Sequence, residues 1–237
     1  MTFGKDVDKI IKTLKSRDKN MDLKLRKSSF FIKSRRISVI YENLLESAVP
    51  IIKVAIKKST KLLAPRSNVT FIVVSTFDDF VKNKMDGVAG YTYSYKLVSL
   101  RVNTASTKWK RGLIDVVAHE FNHTVRRSMI KYVDLREDLA SEGLAQTFAE
   151  QISRKLPPWS KALSISRART VAKKYKPHLK SRSNKLYARV FWSVNDKEFP
   201  HWSGYTISYL MAKKRLSELK MDWNDVMKLK AKEIIQL

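Results

Sequence analysis

No cysteine occurs in this 237-residue chain, which excludes disulfides, thiolate metal sites and a cysteine nucleophile together. Any metal must therefore sit on imidazole and carboxylate. Acidic residues are scarce as well: 22 Asp plus Glu stand against 48 Lys plus Arg, and the net charge of +26 attracts polyanions non-specifically. Histidine is limited to four positions. The opening stretch MTFGKDVDKIIKTLKSRDKN lacks the uninterrupted apolar run that a signal peptide or a membrane span requires. The chain therefore reads as soluble and cytoplasmic, with no membrane span. Internal repeats, low-complexity tracts and recognised nucleic-acid motifs are also missing.

What is present suits one globular domain over residues 1–237, since 43% apolar residues supply one substantial core. Apolar residues recur at helical spacing through residues 38–63, with Pro50 inside the run. This predicts a kink or two consecutive helices, and with a basic amphipathic helix before it, a helical N-terminal region over 1–66. Residues 69–74 are dense in β-branched and aromatic side chains and read as a buried strand. A second strand-rich stretch covers 91–102, entered through Gly87 and Gly90 and turning near Ser94. Helical patterns follow at 109–127, 135–155, 205–219 and near Ile234, with Pro157 and Pro158 stopping the second. That order predicts an α+β fold, mostly helical, with a small sheet packed on one side.

The run HEFNH places His119 and His123 four apart, so on a helix both imidazoles leave one face about a turn from each other. Glu120 lies beside them without having to be a ligand. Zinc lowers the pKa of bound water to roughly 7, and an adjacent carboxylate can accept its proton. A catalytic zinc site takes three protein ligands and keeps one position open. For the third, His178, His201 and the downstream acids compete, and Glu142 is the best placed. It lies on a second helical segment, DLASEGLAQTF, that the loop after His123 folds back against the first. Asp138 and Gln146 share its face, and Gln146 is placed to accept a hydrogen bond from the non-ligating nitrogen of a zinc histidine.

HEFNHTVR, LASEGLAQTFAE, HWSGYTISYLMAKKRL and VMKLKAKEII together resemble a domain-of-unknown-function family described as predicted zinc-dependent proteases. The chain is similar, in turn, to the gluzincin metallopeptidases, which pair HExxH with a downstream glutamate. The resemblance covers roughly residues 70–237 and is most specific in the first two motifs. It implies a zincin-like domain with zinc on His119, His123 and Glu142, Glu120 as general base, and the Gly204-Tyr205 motif at the active site. It also implies that Gly90, Tyr91 and Thr92 belong to an edge strand that pairs with a peptide substrate. The position held by Gln146 is commonly acidic in such enzymes. Tyr205, with His201 as runner-up, is the expected oxyanion donor, and Tyr209 shares its helical face; packing is the competing reading of both tyrosines.

Residues 151–195 carry twelve Lys or Arg and no acid. They connect the Glu142 helix to the Tyr205 helix, interleaved with Trp159, Tyr187 and Trp192 among other aromatics. This reads either as a cationic cover favouring acidic peptides or a polyanion, or as a solvated surface. The leading expectation is a zinc metallopeptidase acting on a peptide or protein substrate. The alternatives are a basic nucleic-acid-binding protein with a structural zinc, and an inactive metallopeptidase-like interaction module.

Overall fold

The computed structural model describes residues 12–13 and 24–237. Most of the first 23 residues, with the basic helix expected there, lie outside the described residues. Strands β1 (Leu25–Ile32) and β2 (Arg35–Glu42) form an antiparallel hairpin. Its two turn residues, Lys33 and Ser34, both have positive φ (46° and 61°), the geometry that matches strand twist. This corrects the helical reading of the N-terminal region over residues 25–42; a single 3-10 turn follows at Asn43–Leu45. Ile37, Val39 and Tyr41 alternate into the core, and that period of two outweighs the helical matches around it. Helix α1 begins only at Ala48 and runs to Leu62. Pro50 sits in its first turn, where amide hydrogens have no partner within the helix, so it starts the helix and does not kink it.

Strand β3 (Val69–Ser75) is the sheet's centre and is buried on both faces, as its run of β-branched residues requires. It pairs in parallel with β2 on one side and with β5 (Leu97–Val102) on the other; β4 (Val88–Ser94) completes the edge antiparallel to β5. The order β1-β2-β3-β5-β4 is a small mixed sheet. A short helix, α2 (Asp79–Lys84), starts from Asp78, whose carboxylate accepts from the Phe80 and Val81 amides.

Helix α3 (Trp109–Arg127) packs on α1 and β4, and α4 (Leu135–Ser153) covers its other side. Fourteen of the 19 residues of α3 are buried, so it is the middle layer of the molecule. Asp134 caps α4 by accepting from the Glu137 amide. After Arg154, in the left-handed conformation (φ 57°), the chain passes through Pro157 and Pro158 into α5 (Ile165–Tyr175) and α6 (Asn184–Phe191). Helix α7 (Ser203–Leu219) then crosses α4 so closely that a Cβ on Gly143 would lie 2.3 Å from the Ser208 carbonyl oxygen. Two single turns, α8 (Trp223–Val226) and α9 (Ala231–Ile234), end the chain. The α+β reading, with its small mixed sheet beside the HEFNH helix, is borne out. Among the described residues no helix is long and apolar enough to cross a membrane.

One buried charge in α3 has a measurable cost. Asp115 is 3% exposed and its Oδ1 has no hydrogen-bond partner. Burial pushes its carboxyl from 3.8 up to about 6, against a hydrogen bond from Ser153 and the nearby Lys155 and Arg111. Between those pH values the folded protein holds a proton that the unfolded chain has already released. Stability therefore falls as pH rises through that window and stays lower above it, by at most about 3 kcal/mol. Asp115→Asn is expected to raise the unfolding temperature at pH 7.5 and to make little difference at pH 4, as read by circular dichroism melts.

Candidate metal centre

His119 and His123 leave the same face of α3, and α4 brings Glu142 against them. Their Nε2 atoms lie 3.0 Å apart, and Glu142 places Oε2 at 3.3 Å from the first and Oε1 at 3.4 Å from the second. Around a tetrahedral zinc with bonds near 2.0–2.1 Å, neighbouring ligand atoms fall about 3.3–3.4 Å apart. The three side chains therefore form a triangle of the size one such ion needs. Glu142 Oε2 is buried and accepts no hydrogen bond, an omission that a cation would remove. Burial opposes the charge on Glu142, but the two imidazoles beside it prevail and hold its carboxyl well below the usual range. The same pairing raises the pKa of His119 against its burial. The three groups form the set that a metal ion would join.

The supporting contacts differ from those the sequence suggests. His123 Nδ1 lies 2.9 Å from Ser141 Oγ, and Ser141 in turn bonds the Tyr132 hydroxyl. With Nδ1–H donating to Ser141, the lone pair of Nε2 faces the Glu142 side of the site. Gln146 does not fill this role, because it is one turn too far along α4. Its Nε2 donates to the carbonyl oxygens of Glu142 and Tyr205 and to Ser208 Oγ, and its Oε1 accepts from Ser160. It ties α4 to α7. Asp138 lines a neighbouring hollow with Tyr132 and Tyr187; burial, then Glu142 and Glu137, pushes its carboxyl up to about 7. Ser141→Ala is expected to weaken zinc binding about 10–100-fold, measured by competition with a chelating dye.

Glu120 is fixed from the sheet. Thr92 Oγ1 donates to its Oε2 at 2.6 Å. Beside it, Gly90 lets β4 lie flush on α3: a Cβ there would sit 2.6 Å from both Oε1 and Cγ of Glu120. Thr92, expected to meet substrate, grips the glutamate and also lines the cavity above it.

A cavity of about 230 Å³ opens over these groups, lined by Gly90, Tyr91, Thr92, His119, Glu120, His123, Glu142 and Tyr205. Burial, with Glu142 and Tyr187 nearby, raises the Tyr205 phenol well above its usual value, so it is a neutral O–H donor. Two expected residues lie elsewhere. His201 stacks on Trp202 with ring centroids 4.3 Å apart and bonds the Ser193 carbonyl through Nδ1. Tyr209 donates to Glu150 at 2.9 Å. The remaining wall is Met85, Val116, Arg127, Trp159, Tyr187, Trp192 and Trp202. Segment 151–195 thus contributes aromatic rings to it, and none of the segment's twelve Lys or Arg lines it.

Residues 51–236 match the family described as "Predicted Zn-dependent protease (DUF2268)". The chain belongs to that family. The resemblance read from the four motifs is borne out, and in this family of predicted proteases the present member carries HEFNH on α3 and its glutamate on α4. A solved structure from Idiomarina loihiensis, described as an aminopeptidase N family protein, is similar with a TM-score of 0.54 at 12% identity. The similarity spans 86% of this chain but only 40% of that one, and at this identity it is a likeness of fold. No curated protein matches the chain.

Proposed function

We propose that this protein hydrolyses peptide bonds with a zinc ion held by His119, His123 and Glu142. The observation that carries the reading is the close triangle of Nε2 and carboxylate atoms with a second, separately anchored carboxylate beside it. When bound, zinc supplies Lewis acidity that lowers the pKa of a water and polarises the scissile carbonyl. Glu120 accepts the proton of the attacking water and delivers it to the leaving amine. The hydrogen bond from Thr92 engages Oε2 and leaves Oε1 for this transfer. Tyr205, kept protonated by burial, donates to the oxyanion. The outer edge of β4 at Gly90 and Tyr91 pairs with an extended substrate backbone. Glu120 has no task in a purely structural clamp, which disfavours the reading of zinc as scaffold.

Zinc content of the purified protein and mass-spectrometric detection of cleavage in a mixed peptide library test this together. The expected result is one zinc per chain, with cleavage stopped by 1,10-phenanthroline and restored by added zinc. Stoichiometric zinc without cleavage of any peptide would end the hydrolytic reading.

A further inference from the structure

We infer that the cavity over the metal centre selects a ligand with a large apolar or aromatic side chain beside the group that meets the metal. This rests on the zinc reading above and adds the substrate class. The apolar part of the lining is Met85, Val116, Trp159, Trp192, Trp202 and Tyr205. Its rings are locked edge to face: Trp159 meets Trp202 at 6.2 Å and 68°, and Trp192 meets Tyr205 at 5.5 Å and 81°. Trp202 is also held on Phe80 at 5.7 Å and has a left-handed backbone, φ 59°, a conformation that costs a non-glycine residue energy and collects at functional sites. The wall is thus pre-formed, so little ordering opposes binding.

Size and charge agree with this occupant. An apolar cavity of about 150 Å³ accepts benzene, and this one has about 230 Å³, room for a ring beside the reacting amide. Arg127 is the one Lys or Arg lining it among the described residues, and its guanidinium lies over the Tyr132 ring at 4.4 Å. A protein of charge +26 therefore turns a largely aromatic wall to its ligand, and among the Lys and Arg of segment 151–195 Arg182 lines the adjoining hollow with Tyr91, Arg127, Glu142 and Tyr187.

The test uses the full zinc-loaded chain and two hydroxamates, N-hydroxy-3-phenylpropanamide and acetohydroxamate, in titration calorimetry. The phenyl compound is expected to bind tighter by on the order of 10–100-fold, the worth of burying one large side chain. Trp192→Ala, at a ring already 42% exposed, and Trp159→Phe are expected to narrow that ratio while zinc content stays at one per chain. Equal affinity of the two hydroxamates overturns the inference, and so does an unchanged ratio in both variants. Because the readout is binding, it stands apart from cleavage. A clear phenyl preference in a protein that cleaves nothing supports the cavity's selectivity and removes only the hydrolytic reading.

Discussion

Glu120→Gln is expected to leave zinc bound at one per chain while kcat for peptide cleavage falls about 10²–10⁴-fold, the usual contribution of a positioned general base. The amide has nearly the shape of the carboxylate, so it fits the space that Gly90 leaves and can keep the 2.6 Å contact from Thr92. It cannot accept a proton. The three side chains proposed to hold the metal stay untouched, so metal analysis separates this loss from a loss of zinc. Thr92→Val should give a smaller fall with the same zinc content, since the carboxylate remains but is no longer held. If Glu120→Gln cleaved as fast as the parent protein, Glu120 would have no role in the chemistry.

The second large effect is on stability. Arg126, three residues after His123, has no solvent exposure and forms a bidentate pair with Glu137 at 2.8 and 3.0 Å. Its remaining donors reach the carbonyl oxygens of Met227 and Leu229. One guanidinium therefore joins α3, α4 and the chain's final turns beside the metal centre. Removing one member of such a pair leaves the other charge buried alone, so Arg126→Met or Glu137→Met should each cost about 3–5 kcal/mol. The double variant should be much less destabilised than the sum, because both desolvation costs disappear together. Urea unfolding of the three variants checks this; simple additivity would show that the two charges do not act as a pair.

The cluster of His119, His123 and Glu142 that could hold a metal was legible because it is local. Two histidines at i and i+4 share a helix face whatever packs around them, and one loop brings Glu142 back. Residues that needed a rotation or a distance between elements were not legible. Tyr205 and Tyr209 share a face, but the second sits about 6 Å further along α7, and it meets Glu150 instead of the cavity. Gln146 likewise lies five residues, about a turn and a half, beyond Ser141, which bonds His123. A serine on a helix adds nothing to a hydrophobic period, so Ser141 gave no signal, and neither did Thr92 on its strand. The β1–β2 hairpin was obscured because its turn, Lys33-Ser34, has neither Asn nor Gly. Segment 151–195 drew attention to its cations, although Trp159, Tyr187 and Trp192 were equally plain in the letters; which of them turns inward is a matter of tertiary packing.

Gly90 has a consequence for redesign. With no space for even a methyl group between Gly90 and Glu120, position 90 cannot be diversified without disturbing Glu120. The aromatic wall comes from separate stretches of chain, around Trp159, Trp192 and Trp202. On the proposed function, reactivity and preference would be encoded in different modules. A combinatorial library that holds residues 88–94 constant and randomises 159 and 192 should yield proteins with new tastes and the old chemistry.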